Sequence, residues 1–468
     1  MTRDWQDRLR EIEKDIFARR PEHSINPSLE RISALVTLLG DPQRAYPVIH
    51  LTGTNGKTST ARMIEALLRA RGLRTGLFTS PHLSNVGERI VVDGQPLSGE
   101  RFVEAYDEIK PYLDLVDATH EVQLSFFEVL VGMAFAVFAD APVDVCVLEV
   151  GMGGTWDNTN IADGAVAVVT PISIDHARYL GNTVQEIATD KAGIIKPGAI
   201  AILAQQPPAA AEALLRRVAE VGATVAREGI EFGVLSRELA VGGQQVSIRG
   251  LRGDYTDLYL PLFGAHQAGN LACAIAAVEA FAATPQADGP DSEEQPLDPA
   301  IVRQAAATMT SPGRLEIIRR SPVVIVDAAH NPGGMAASMA ALTESFSFTE
   351  LIAIIAIAQD KDVAGVLDEL EPVATRLVVT ANSSSRSMDP AALGEVAAGI
   401  FGPERVSITA RLDDAIELGV TLADEVDAAD GPGSAAVLIT GSVITAGDAR
   451  VLLSSDRNEA GPGPEEGP

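Results

Sequence analysis

The sequence predicts an α/β protein built as two successive units, each a mostly parallel sheet flanked by helices. Three observations predict it. An apolar run, Val48-Ile49-His50-Leu51, feeds a glycine turn that opens directly into a helical pattern. From residue 323 onward, strands at 323–327, 351–357, 376–380 and 436–440 alternate with helical segments, including those from Gly333 and Pro390. Between these halves, residues 283–299 are rich in proline and acid and read as a linker. A chain of 468 residues also exceeds one ordinary core. The organisation expected is a first domain over 1–285, a linker over 286–299, a second domain over 300–455 and a disordered Gly/Pro/Glu-rich tail over 456–468.

Taken in order, residues 1–45 read as helical, with arginines scattered among acids. At Gly53-Thr54-Asn55-Gly56-Lys57-Thr58 the glycines let the backbone curl so that successive N–H groups face an anion. Lys57 adds a point charge and Thr58 a hydroxyl, so the stretch reads as a phosphate-binding loop; an ordinary glycine-rich strand-to-helix turn is the plainer alternative. Its spacing departs from the commonest form, because the first glycine of Gly-x4-Gly-Lys-[Ser/Thr] would fall on Leu51. Met63, Ile64, Leu67 and Leu68 then give a helical apolar face that ends at Gly72.

Residues 75–79 form a second short strand that delivers Ser80 to the edge where ligands of open α/β sheets collect. A hairpin over 88–97 turns at Asp93-Gly94. Ser125-Phe126-Phe127-Glu128 opens a buried helix reaching Phe138. The strand 145–150 carries Glu149 as its only charge, placed to reach a metal at the loop; a strand-end glutamate paired with a surface lysine is the plainer alternative. A strand over 165–171 leads to His176, a third polar group after Ser80 and Glu149 at one sheet edge. Thr183 and Glu186 form a capping box for a helix carrying Asp190-Lys191.

Lys191 has two readings. Ala192, Gly193, Ile194 and Ile195 follow it, and burial among them favours a neutral amine; on spacing alone it also reads as a surface lysine paired with Asp190. From Gly198 come a strand, a helix, several short strands and, at His266, an alanine-rich helix containing Asn270. His330-Asn331-Pro332-Gly333 is strong turn chemistry, and Asp327 at the preceding strand end favours ligand contact there. Ser383–Arg386 reads as a loop, and the acidic runs around Glu293 and Asp427 read as solvated surface.

Composition limits the partners. A net charge of −28 argues against nucleic acid, so cations must be concentrated locally to meet a phosphate ligand. Cys146 and Cys273 lie in apolar segments and give no disulfide framework. No apolar run reaches the ~18 residues of a membrane span. The polar N-terminus lacks a signal-peptide core, and a cytoplasmic location is expected.

The segments Thr52–Thr58, Thr79–His82, Leu148–Gly154, Ser173–His176, Asp190–Ile194, His266–Asn270, Ser311–Glu316 and Asp327–Gly333 resemble, in order and spacing, the folylpolyglutamate synthase/dihydrofolate synthase family of the Mur ligase superfamily. The resemblance implies a P-loop ATPase domain with a central mostly parallel sheet, followed by a smaller Rossmann-like α/β domain. It also implies an ATP-dependent ligase that adds L-glutamate to dihydropteroate and to the γ-carboxyl of reduced folates through an acyl phosphate. Gly53, Thr54, Asn55, Gly56, Lys57 and Thr58 would hold ATP, with Asn270, Arg314 and Asp327 also facing it. Ser80 and Glu149 would hold one magnesium ion, and Glu149, His176 and a carbamylated Lys191 a second. Asp327 and His330 would meet nucleotide and incoming glutamate, while Ser125, Phe126, Phe127, Glu128, Trp156, Asp157 and Asn158 would line a pterin pocket. The family expectation is a monomer.

Two departures from the family pattern stand out. Lys57-Thr58-Ser59 replaces the frequent Lys-Gly-Ser, as in muramyl ligases, and Thr155-Trp156-Asp157-Asn158 replaces Arg-Leu-Asp-Ala. The chemistry implied is positioning and charge cancellation, because a carboxylate must be phosphorylated before an amine can attack it. Two other readings compete. A muramyl-peptide-type ligase needs an N-terminal nucleotide-sugar domain for which the residues before Val48 leave no room, and a P-loop nucleotide switch gives no role to Asp327–Asn331.

Overall fold

The structure is a computed structural model that describes residues 4–21, 26–284 and 296–459. Two compact units divide the chain. The first takes the residues through Pro81, Val86–Pro261 and His266–Thr310; the second takes His82–Asn85, Leu262–Ala265 and the residues from Ser311 on.

In the first unit eight strands form one sheet: β1 (Val48–Thr52), β2 (Thr75–Phe78), β3 (Ile90–Val92), β4 (Gln95–Pro96), β5 (Val145–Glu149), β6 (Gly164–Val169), β7 (Ile200–Leu203) and β8 (Thr224–Arg227). Their order is β4-β3-β2-β5-β1-β6-β7-β8. Pairing is parallel from β2 to β8, and the β2–β3 and β3–β4 pairs are antiparallel. All five residues of β1 are buried, as expected of a central parallel strand covered on both faces. The predicted hairpin is present, with Asp93 (φ 50°) and Gly94 (φ 76°) supplying the left-handed pair such a turn requires.

Helix Phe126–Asp140 is buried along almost its whole length and starts at a capping box between Ser125 and Glu128. The Thr183/Glu186 box is also formed. A small antiparallel sheet of β9 (Gly233–Ala240), β10 (Gly243–Arg249) and β11 (Asp254–Leu260) follows, in the order β11-β10-β9.

The second unit holds β12 (Glu316–Arg320), β13 (Val323–Val326), β14 (Glu350–Ile355), β15 (Arg376–Val379), β16 (Val406–Ile408) and β17 (Ala435–Thr440), in the order β12-β13-β17-β14-β15-β16. Five of these strands are parallel, and β12 adds an antiparallel edge that the sequence reading lacked. That reading also passed over helix Leu412–Asp430 because its acids suggested plain surface. Leu412, Ala415, Ile416, Gly419, Ala423 and Val426 nonetheless form a buried stripe at helical spacing.

Two boundaries differ from expectation. Helix Pro299–Ala307, expected in the second domain, belongs to the first unit, where it packs on helix Lys57–Ala70 and β11 and buries Val302, Ala305 and Ala306. The last helix runs through Glu459 rather than stopping at 455, since residues 456–460 contain no glycine or proline. Most of the expected linker, residues 285–295 with Glu293, and the tail beyond 459 lie outside the described residues.

Candidate active site

The polar groups of the first unit gather at the carboxyl ends of β1, β2, β5 and β6. Gly53 leaves β1 with φ 149°, and a Cβ there would fall 1.8 Å from Thr170 Oγ1 and 2.9 Å from Thr170 O, so the backbone lies directly on the end of β6. Gly56 (φ 87°) is the N-cap of helix Lys57–Ala70. A Cβ on it would sit 2.6 Å from Asn270 Oδ1, which places Asn270 against the loop; its Nδ2 donates to Gln267 Oε1 at 3.0 Å.

Not every loop amide faces inward as the sequence suggested. Thr54 N and Asn55 N both donate to Pro171 O, at 3.0 and 3.3 Å, and Thr54 Oγ1 bridges to the backbone of Ser173. The anion-facing end therefore starts at the helix N-terminus. There Lys57, Thr58 and Ser59 lie ahead of the first intrahelical bond, from Thr60 N to Gly56 O.

Two lysine amines meet on one carbonyl. Lys57 Nζ donates to Gly53 O and Thr54 O, both at 3.2 Å, and Lys191 Nζ donates to Gly53 O at 2.7 Å. Lys191 is buried, so its reading as a surface lysine is excluded. Burial, and then the charge of Lys57, push its amine down to about 7 against the pull of Asp190, Asp175 and Asp157. Asp190 points its Oδ2 into the interior with no hydrogen-bond partner, and burial raises its carboxyl.

The plainer reading of Glu149 also fails. Its Oε1 accepts from Thr58 Oγ1 at 2.9 Å and its Oε2 from Ser80 N at 3.4 Å. Glu149 and Thr58 thus bring hard oxygen donors together beside Ser80, the donor chemistry magnesium prefers. His176 sits in the left-handed region (φ 51°), its N donates to Asp175 Oδ1 at 2.8 Å, and its Nε2 lies 3.8 Å from Asp175 Oδ2. Asp175 was missed as a candidate, although it stands inside the Ser173–His176 motif. Among the described residues no group of three or more His, Cys, Asp or Glu side chains is placed to hold a metal ion.

The residues expected at a pterin divide into two sets. Ser125 and Glu128 close the helix cap, and Glu128 is buried against Arg31 at 3.0 Å. Phe126 and Phe127 are buried in the core, with the Arg89 guanidinium 5.0 Å over the Phe126 ring. Trp156 and Asn158 are half-buried, and Asp157 is buried.

In the second unit Asp327 follows β13 and accepts three hydrogen bonds. They come from Leu315 N (3.0 Å), Ala329 N (2.9 Å) and Ser338 Oγ (2.8 Å). It therefore ties two turns together. One is Ser311–Leu315, where Leu315 holds a left-handed φ of 43° and Arg314 N donates to Ser311 O. The other carries His330, whose Nδ1 lies 2.9 Å from Ala328 O, and Asn331, which caps helix Pro332–Ser345. Because a carbonyl only accepts, His330 Nδ1 carries the proton and Nε2 is its acceptor when neutral.

Comparison with known proteins bears on what this arrangement does. Residues 51–278 match the Mur ligase middle domain, and residues 313–443 match the Mur ligase, glutamate ligase domain. A dihydrofolate synthase/folylpolyglutamate synthase of Mycobacterium tuberculosis is 48% identical over 96% of this chain and 94% of its own length. The Mycobacterium tuberculosis folylpolyglutamate synthase solved with ADP superposes with a TM-score of 0.91 at 47% identity, covering 99% of this chain and 100% of that one. A solved FPGS–AMPPCP–folate complex has a TM-score of 0.80 at 30% identity, covering 95% of this chain and 99% of its own.

Proposed function

The chain belongs to the Mur ligase family as a dihydrofolate synthase/folylpolyglutamate synthase, and from that premise we infer how its residues carry the reaction. It is an ATP-dependent ligase that joins L-glutamate to the carboxylate of a pteroate or folate acceptor. Relatives solved with ADP and with AMPPCP and folate support nucleotide and folate as its ligands.

The observation that carries the residue-level reading is the pair of lysine amines on Gly53 O beside the Thr58–Glu149 contact. The Lys57 cation beside that carbonyl favours an anion there, and the N-terminus of helix Lys57–Ala70 adds to that field. We propose that Lys57 and the loop hold the ATP phosphates, with Asn270 fixing the loop at Gly56. Thr58, Ser80 and Glu149 would hold one magnesium ion, and Glu149, His176 and a carbamylated Lys191 a second. Bound there, magnesium would neutralise phosphate charge. Neutral Lys191 reacts with carbon dioxide at its nitrogen lone pair and releases one proton, which turns a buried amine into a carboxylate-like oxygen donor.

Arg314 and His330 are read as the ligand-facing groups of the second unit, held in place by Asp327. A carboxylate has about four acceptor sites. Three are filled here, which leaves Asp327 one for a substrate. The pterin is read as lying beside the start of helix Phe126–Asp140 and Trp156–Asn158. Among the described residues no helix is long and apolar enough to cross a membrane. A monomer in the cytoplasm is the working expectation, and size-exclusion chromatography tests the first part.

The experiment is ADP release with magnesium, ATP and L-glutamate, using dihydropteroate or tetrahydrofolate as acceptor. Turnover with both is expected. Turnover with one names a narrower synthase, and no turnover above background with either overturns the folate assignment.

A further inference from the structure

Behind the phosphate-binding loop runs a buried hydrogen-bonded chain that shares only Asp157 with the residues read as facing a ligand. His50 sits in the middle of β1 with no exposed surface, between Leu148 of β5 and Ala167 of β6. Its Nε2 lies 2.9 Å from Thr159 Oγ1, and that hydroxyl donates to Asp157 Oδ1 at 2.5 Å. A hydroxyl has one proton to give. Since it goes to the carboxylate, His50 Nε2 must be the donor to Thr159, which fixes the Nε2–H tautomer. Nδ1 is then a bare lone pair, buried and without a hydrogen-bond partner. Burial holds the ring neutral, its pKa pushed down to about 3. Asp157 extends the chain, because Oδ1 also accepts from Thr159 N at 2.9 Å and Oδ2 accepts from Met152 N at 3.0 Å.

The chain ends on the turn that touches both the end of β1 and the backbone of Lys191. Thr52 lies two residues along β1 on the same face as His50, and its Oγ1 donates to Gly153 O at 2.6 Å. A Cβ on Gly154 would fall 2.7 Å from Lys191 O, so the turn presses on the backbone that carries Lys191. Thr155 adds two bonds to Asp190 O, from N at 3.0 Å and from Oγ1 at 2.8 Å.

We propose that His50 and Thr159 are positioning residues of the ligase. Acting through Asp157, they lock the Met152–Thr155 turn and so set the distance between Lys191 and the phosphate-binding loop. The proposal rests on the reading of Lys191 and the loop as the working site. Packing alone would make the size of residue 159 matter, whereas positioning makes its hydroxyl matter.

The test compares Thr159→Val with Thr159→Ser in the full-length protein by steady-state kinetics and by amide hydrogen exchange. Thr159→Val is expected to lower kcat about ten-fold or more, with KM for ATP changed less than about two-fold. Exchange should quicken in the segments around Met152–Thr155 and Asp190–Gly193. Thr159→Ser should restore both readouts. Parent-like kcat and exchange in Thr159→Val overturn the proposal, as does an equal loss in the two variants. If Thr159→Val does not fold, the double variant His50→Leu/Thr159→Val removes the stranded Nε2–H; low kcat with fast exchange is expected, and parent values overturn the idea. Exchange needs no turnover, so a parent without activity on any folate acceptor would refute the activity while exchange still decides the positioning claim.

Discussion

The two units solve the same problem at the end of a parallel sheet in different ways. In the first, the groups read as facing a ligand are largely separate from the groups that hold them. Lys57 and Lys191 meet on Gly53 O and Thr58 meets Glu149 near the strand ends, while the His50–Thr159–Asp157 chain lies behind them, out of water. In the second, one residue does the holding within the turn itself, since Asp327 ties Leu315, Ala329 and Ser338 next to Arg314 and His330. The contrast teaches that a strand-end carboxylate can belong to either class. Glu149 accepts from a hydroxyl and one long amide bond and can exchange them for a ligand; Asp327 is committed to two backbone amides that have no substitute.

Substitutions can break or sharpen that contrast. The largest effect is expected from Lys57→Ala, which on the proposed reading removes a cation from the transferring phosphate. kcat should fall about 1,000-fold while the melting temperature does not drop, and a parallel drop in melting would move Lys57 into the supporting class. Lys191→Ala should cost about 100-fold in kcat, with partial recovery on adding formate or acetate. An unchanged rate that short carboxylates do not raise would end the carbamate reading.

Asp327→Asn should act on stability instead. It turns an amide N–H toward backbone donors at a site that is 2% exposed, at a cost of about 1–3 kcal/mol in denaturant unfolding. An unfolding curve that matches the parent would place Asp327 with the ligand-facing groups.

The smallest effect concerns acid. The native protein holds His50 neutral, with its pKa pushed down to about 3, while the unfolded chain takes up a proton near the ordinary 6.5. Between those values the unfolded state binds more protons, so stability is lost as pH falls from about 6.5 toward 3. His50→Leu should therefore show a shallower fall in melting temperature between pH 6.5 and pH 4 than the parent. Equal slopes would mean that His50 is not held neutral.

Much of this was legible in the chain. Gly53, Gly56 and Lys57 declared the loop, because a backbone that must curl around an anion needs glycine and a cation at short range. The strand ends placed Ser80, Glu149 and Asp327 at sheet edges, since strand order and alternation fix where side chains emerge. What the chain did not show was mostly a matter of partners far along it. Phe126 and Phe127, read as part of a ligand wall, are also packed into the core, because the helix they open is covered by residues the motif does not contain. Helix Pro299–Ala307 was assigned by its place after a linker, yet its apolar face found the first unit.

The sequence by itself determined most of the elements, the glycine turn between β1 and its helix, and the family, which depend on sequence spacing. Only the tertiary structure decided whether Lys191 was a surface or a buried lysine, and which atoms Asp157 and Asp327 bind. Local patterns set backbone conformation and one apolar face. The charge state of a buried amine and the partners of a carboxylate depend on residues such as Gly53, which lies 138 positions before Lys191 and is brought to it only by the folded sheet.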